Sequence, residues 1–400
     1  MIKVAIMGYG TVGAGVYKVL TGNRGEITRR LQGEEIEVAH VLDLRDFPGD
    51  PAEAVLTHDF QDILNDSEVA IVVETMGGLR PAYGFTKQLL EAGKCVCTSN
   101  KELVAEHGLE LRRVAHASGV NYLFEASCGG GIPVIHVLDG ALTADYIDEV
   151  SGILNGTTNY ILSQMTAQGQ DFNEALKEAQ AMGYAELHPE ADIEGHDAQR
   201  KIAILSTLAY GKYINYKNVY TEGISCIDSV DIAFAKAVGR KIKLIARSRR
   251  TAEGTFAMVA PMMIGRENLL YNVDGVLNAV QLHGNAVGNV TLFGSGAGSL
   301  PTASAVAGDV ISCARSLHEP IPSDWSDQEM DLLESEEMPC AFFVRFRGSE
   351  SEARELFADA ELTRIPETDE IGITTGIMTE KSLMDVRSGT GHIVKAIRLG

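Results

Sequence analysis

Along residues 1 to about 130, short apolar, β-branched runs alternate with amphipathic stretches. Ile2–Met7, Glu35–Leu42, Val69–Glu74, Cys95–Thr98 and Asn121–Glu125 read as strands. Phe85–Ala92 and Leu109–Ala117 carry helical spacing between them. Most of these strand runs are apolar on both faces, as in a parallel sheet covered by helices on both sides. The alternation predicts an α/β, doubly wound parallel sheet.

The pattern breaks at Gly129-Gly130-Gly131-Ile132-Pro133. From Tyr146 a second, α+β unit is expected. It has a helix over Ile193–Tyr210 and strands at Ile242–Ala246, Ala257–Met263 and Asn278–Leu282. A helix from about Thr302 to Arg315 carries Val306, Val310 and Ile311 to pack back on the first domain. The acidic, proline-containing stretch 319–338 reads as a linker. After Pro339 the order is a β-α-β-β-α-β unit, opening with strand Ala341–Phe346 and helix Glu350–Ala358 and closing with strand His392–Leu399. The expected domains are 1–134 (rejoined by about 302–318), 135–301 and 339–400.

Composition narrows the class. Four hundred residues suit about two to three domains. A net charge of −21 argues against nucleic acid and anionic membranes as partners. No apolar run approaches the ~18 residues of a membrane span, and the first residues enter a strand without a signal-peptide pattern. Six cysteines are too sparse for a disulfide framework and fit no zinc spacing. A cytoplasmic protein is expected.

Gly8-Tyr9-Gly10-Thr11-Val12-Gly13 follows the first strand and precedes a helical stripe at Val16, Val19 and Leu20. In a dinucleotide-binding turn the first glycine permits the bend and the second admits a pyrophosphate. The third lets helix and strand approach. The helix N-terminus offers unpaired N–H groups to phosphate. Here that makes a Rossmann-like domain. Asp43 can accept from a ribose 2′-hydroxyl, favouring NAD; Arg45 can pair a 2′-phosphate, favouring NADP; or both form a solvated loop pair.

Ser99-Asn100-Lys101 lies at the carboxyl edge of the sheet, where ligands bind in such folds. Asp197 and Lys201, four apart on a helix, form an exposed ion pair on spacing alone. With Glu186, Glu190 and Asp192 they could instead hold an amino-bearing substrate.

Six segments resemble the homoserine dehydrogenase family and together span most of residues 1–315. They are the Gly8–Gly13 turn; Thr98-Ser99-Asn100-Lys101 with Ala105–Gly108; and Glu125-Ala126-Ser127-Cys128-Gly129-Gly130-Gly131-Ile132-Pro133. The others are Gly152–Leu162, containing Asn155-Gly156-Thr157-Thr158-Asn159; Gly183-Tyr184-Ala185-Glu186 through Asp197 to Lys201; and Gly294–Ala305. The resemblance implies NAD(P)-dependent interconversion of aspartate 4-semialdehyde and homoserine, in threonine, methionine and isoleucine biosynthesis. The family's proton-transfer and substrate-orienting lysines fall on Lys201 and Lys101. Substrate contacts fall on Glu186, Asp192, Asp197, Tyr184, Asn155, Gly156 and Thr157. Cofactor contacts are expected at Gly8, Gly10, Thr11, Val12, Gly13, Asp43, Arg45, Thr75, Ser99, Asn100, Lys101 and Gly298. Leu42 stands where the family often has arginine, which tilts the cofactor toward NAD. Glu125, Cys128 and Gly130 resemble a structural monovalent-cation site, for sodium. A homodimer, or a homotetramer, is implied.

Two departures matter. Cys128 stands where the family commonly has valine, and Ser127-Cys128-Gly129 resembles the nucleophile of phosphorylating semialdehyde dehydrogenases. That alternative needs a base, and His136 is the nearest histidine. A non-catalytic nucleotide sensor is the other alternative. The C-terminal unit resembles an ACT domain in a small ferredoxin-like order. It carries Arg347-Gly348-Ser349-Glu350-Ser351-Glu352 in place of the family's Asp-x-Pro-Gly-Val-Leu turn, so threonine inhibition is doubtful and subunit contacts are the other role.

Overall fold

Each apolar run of the first 130 residues becomes a strand of one sheet: β1 (Ile2–Met7), β2 (Ile36–Leu42), β3 (Leu56–Thr57), β4 (Val69–Glu74), β5 (Cys95–Thr98) and β6 (Tyr122–Leu123). The computed structural model describes residues 1–317, 319–321, 325–358 and 360–400. The strand order is β3-β2-β1-β4-β5-β6, and every pairing is parallel. Val4, Ala5, Ile6 and Met7 are all fully buried, as a sheet covered on both faces requires. The order reverses direction between β1 and β4, which puts the ligand crevice at their carboxyl ends.

These strands lie in the first of two units, residues 1–144, 207–213 and 294–329. The helix expected at Leu109 begins eight residues earlier, at Lys101, because the Asn100 side chain caps it by accepting from Leu103 N at 3.1 Å. The Asn121–Glu125 run pairs only over β6, then turns into a 3₁₀ segment at Glu125–Ser127. The helix Ser299–Arg315 belongs to this unit: Val306 and Val310 are buried, and Ile311 half-buried. The 319–338 stretch is more than a linker. Ser326–Glu329 forms a strand parallel to Lys212–Tyr213, and Ser335–Glu337 is a 3₁₀ turn. Residues 318 and 322–324, which fall in the expected 302–318 and 319–338 segments, and residue 359 of the expected 339–400 domain lie outside the described residues.

The second unit, residues 145–206, 214–293 and 330–400, is built on a mixed sheet. Its strands are β7 (Ile147–Ile153), β8 (Lys241–Arg250), β9 (Thr255–Ile264), β10 (Leu277–Gly284) and β11 (Gly288–Ser295). They continue as β12 (Phe342–Phe346), β13 (Glu361–Thr363), β14 (Ile371–Thr374) and β15 (Ile393–Leu399). The order is β11-β10-β7-β8-β9-β15-β12-β14-β13. The C-terminal β-α-β-β-α-β segment is therefore an extension of one sheet. β15 joins β9 in parallel through Met262↔Arg398 and Met263↔Leu399.

Ion pairs reinforce that join. Arg345, on β12, donates to Glu370 at 2.7 Å and to both Asp228 and Asp231 at 2.8 Å. Asp228 also caps the helix Ser229–Ala237. Arg398 bridges Glu222 and Glu380. Burial pushes the carboxyls of Asp228 and Glu370 up, but their bonds to Arg345 win and hold both below the ordinary range. Arg345→Ala would leave Asp231 with Lys395 and Glu370 with Arg347 as their cations, a loss of about 1.5–3 kcal/mol by denaturant titration at neutral pH. Carboxyls with depressed values stabilise above about pH 4 and lose that contribution as pH falls. The difference between wild type and Arg345→Ala should therefore shrink on acidification.

Candidate active site

In the first unit the Gly8–Gly13 turn sits at the end of β1. Gly8 has φ +90°, and a β-carbon there would stand 2.9 Å from the Met76 backbone. One on Gly13 would stand 1.9 Å from the Gly8 carbonyl oxygen. One on Gly10 would meet nothing within 4 Å. The middle glycine thus leaves open backbone, while the outer two permit close packing. Gly10 precedes the helix Thr11–Gly22 without a side-chain cap, so Thr11 and Val12 begin it with N–H groups available to phosphate. Thr75, at the end of β4, donates to the Gly8 carbonyl at 2.8 Å and braces the turn. Ser299, next to Gly298, donates to the Thr11 carbonyl at 2.6 Å.

Asp43 accepts from Tyr9 N at 2.8 Å and from the Arg45 guanidinium at 2.9 and 3.0 Å. Those Arg45 bonds, foremost, hold the Asp43 carboxyl at about 2. The Arg45 guanidinium also lies 5.1 Å over the Phe47 ring, and Tyr9 Oη donates to Asp50 at 2.8 Å. Tyr9, Phe47 and Asp50 were not expected in the site; their only signal was the position of Tyr9 inside the glycine turn. Beneath Ser99-Asn100-Lys101, buried Glu74 accepts from Thr98 Oγ1 at 2.6 Å and Met76 N at 2.8 Å. Burial raises the Glu74 carboxyl above its ordinary range. Lys101 is half-buried at the first position of its helix.

The second unit gathers most of the predicted amino-acid contacts. Asn155 caps the helix Gly156–Gln168 with its oxygen, accepting from Thr158 N at 2.8 Å. Its amide nitrogen donates to Asp192 at 2.7 Å and Asp197 at 2.9 Å. Thr157 donates to Asp192 at 2.9 Å and to the Tyr184 carbonyl at 2.7 Å. Lys201 donates to Asp197 and to the Leu154 carbonyl, each at 2.8 Å. The exposed ion pair suggested by spacing is therefore wrong: the side chains of Lys201 and Asp197 are 11% and 2% exposed. The helix expected over Ile193–Tyr210 is broken. Gly195, at φ +81°, separates Glu190–Ile193 from His196–Tyr210 and sets Asp192 and Asp197 on either side of Asn155. Gly156 packs on the Val276 carbonyl, 2.8 Å from where a β-carbon would lie. Glu186 and the Tyr184 ring are exposed, and among the described residues the Glu186 side chain makes no hydrogen bond to this network.

The Glu125 carboxylate is already surrounded by donors. It accepts from Ile135 N at 2.9 Å, from His136 N at 2.6 Å and from His136 Nδ1. That side chain does not fit a cation. The turn Cys128–Gly130, with Gly129 at φ +76° and Gly130 at φ +57°, offers only main-chain oxygens to a hard ion. The Cys128 thiol is fully buried, and His136 Nδ1 is committed to Glu125. A nucleophilic Cys128 therefore lacks both access and its base.

A parallel doubly wound sheet with a glycine turn, and a second unit carrying a buried lysine–carboxylate cluster, define a nucleotide-dependent oxidoreductase. Family models agree: "Homoserine dehydrogenase, NAD binding domain" matches residues 8–125 and "Homoserine dehydrogenase" residues 133–311. The homoserine dehydrogenase of Neisseria gonorrhoeae is 44% identical over 317 residues, covering 78% of this chain and 72% of that protein. That of Helicobacter pylori is 40% identical over 350 residues, covering 87% and 82%. A solved homoserine dehydrogenase from Thiobacillus denitrificans superposes with a TM-score of 0.91 at 38% identity, covering 100% of this chain and 98% of that one. The chain belongs to the homoserine dehydrogenase family, and is an NAD(P)-dependent oxidoreductase.

The glycines separate fold from binding. Gly13→Ala should lower both thermal stability and dinucleotide affinity. Gly10→Ala should leave the melting temperature near wild type while weakening dinucleotide binding, measured by fluorescence titration.

Proposed function

We propose that Lys201 exchanges the proton and that Asp192, Asp197 and Asn155 hold the amino acid as aspartate 4-semialdehyde and homoserine interconvert. The buried Lys201–Asp197 pair carries this reading. A nicotinamide dinucleotide, when bound at the glycine turn, supplies hydride exchange at the carbon bearing the reacting oxygen. Lys201 is fixed by Asp197 and Leu154, so its protons are aimed rather than solvated. In reduction it donates to the developing alkoxide; in oxidation it takes the hydroxyl proton. The oxygens of Asp192 and Asp197 accept from Asn155 and Thr157 and keep lone pairs suited to an ammonium. Glu186 and Tyr184 are read as exposed partners of the same substrate, and Lys101 as its orienting cation.

For the cofactor we favour NAD. Asp43 already neutralises Arg45, and its charge opposes a 2′-phosphate. A homoserine dehydrogenase from a hyperthermophilic archaeon, 25% identical, was solved with NADPH, which keeps the second cofactor in view. Sodium, if bound, is read at the main-chain oxygens from Cys128 to Gly130. Exposed Tyr146, Val287 and Phe293 support a homodimer through the second unit. The C-terminal strand order β15-β12-β14-β13 supports an ACT-like origin without a ligand turn.

Lys201→Met should lower kcat by about 10²–10⁴-fold and leave the dinucleotide dissociation constant unchanged. Equal losses of both would overturn the assignment. Asp43→Ala should raise the NADP-to-NAD ratio of kcat/KM by about tenfold, equivalent to about 1.4 kcal/mol. An unchanged ratio would remove Asp43 from cofactor choice.

A further inference from the structure

Within the first unit, at the β6 edge of the sheet, lies an open cavity of about 820 Å³. Its walls come from β6, the second half of the Lys101–Ala117 helix and the Ser299–Arg315 helix. None of the residues assigned above to the dinucleotide or the amino acid lines it.

The cavity holds an uncommitted cation. The Arg112 guanidinium lies 4.7 Å over the Trp325 ring and 5.9 Å from the Phe124 ring. It makes no hydrogen bond among the described residues. Its neighbour Arg113 is different: it is paired with Asp327 at 2.7 Å. Burial lowers the Arg112 pKa to about 10, so its charge is poorly hydrated as well as unbonded. A planar fork with five donors, fixed by aromatic stacking, matches a carboxylate or phosphate edge. Ile135 and Ile321 add apolar wall beside it. Flat aromatic faces and aliphatic surface suit a flat organic body better than a compact, fully hydrated anion. Asp139 raises the Arg112 value slightly and closes the same cavity, so a dianion is disfavoured there.

We propose that this cavity is a second binding site, taking a flat organic monocarboxylate whose carboxylate pairs with Arg112 and whose body lies among Phe124, Trp325 and Ile135.

Trp325 is the single tryptophan of the chain, so its fluorescence reports on this cavity alone. The full-length protein would be titrated with phenylacetate and, separately, with inorganic phosphate at constant ionic strength. The expected result is a saturable change with phenylacetate and none with phosphate. In Arg112→Gln the phenylacetate affinity should fall by about 10- to 100-fold, the loss of a charged hydrogen bond. Arg112→Lys, which keeps the charge but not the fork, should fall between. Isothermal calorimetry on the same variants covers the case in which Arg112→Gln alters the fluorescence or the fold. No saturable change with phenylacetate, saturation by phosphate alone, or equal affinity in wild type and Arg112→Gln would each overturn the proposal.

Discussion

A β-carbon on Gly13 would lie 1.9 Å from the Gly8 carbonyl oxygen, so the helix Thr11–Gly22 approaches β1 only where no side chain intervenes. Much of the first unit follows from that approach. It aims the open end of the helix at the crevice between β1 and β4. It also allows a second close contact two residues on: a β-carbon on Gly15 would be 2.8 Å from the Ser299 carbonyl and 3.0 Å from Ala303 Cβ. The returning helix Ser299–Arg315 can therefore lie against the fingerprint helix. Gly130 and Gly131 repeat the device against Gly296 and Pro301. The high glycine content thus marks where backbones meet.

The second unit solves a different problem, that of keeping charge out of water. A buried ammonium and a buried carboxylate cost several kcal/mol each unless both are bonded. Asn155 resolves much of this. Its oxygen caps a helix while its nitrogen serves two carboxylates from either side of the Gly195 break. Leu154, the preceding residue, lends its carbonyl to Lys201. Two consecutive residues, in the short joint between β7 and the helix Gly156–Gln168, thus position both the carboxylates and Lys201.

The strands of the first unit were legible because burial on both faces makes their apolar runs continuous. The helix over residues 101–117 was half-legible: its first turn, Lys101-Glu102, is polar, and the Asn100 cap is a local hydrogen bond that periodicity does not register. The acids of the second site were visible as residues, but Asp197 and Lys201 looked like surface partners. Four-residue spacing says that two side chains can meet; it says nothing of what covers them. The join of β15 to β9 was illegible for a related reason. Met262, Met263 and the closing strand are far apart in sequence, and each reads correctly as a strand without naming its neighbour. The partners of the Glu125 side chain were illegible too, since they lie ten and eleven residues further along the chain. In the fold its carboxylate is spent on the first N–H groups of a short helix and on His136.

Buried acids around that point behave as one unit. Asp309 accepts from Glu125 N at 2.9 Å, and burial, with the Glu125 charge second, pushes its carboxyl up to about 8. The hydrogen bond with Glu125 raises His136 against the opposing effect of burial. His136 is held between two acids, its Nδ1 bonded to Glu125 and its Nε2 within reach of Ser312. Both ring nitrogens of His136 are thus engaged elsewhere, and the Cys128 thiol is fully buried. The proposed chemistry then draws on the lysine and carboxylates of the second unit and on the open backbone of the glycine turn.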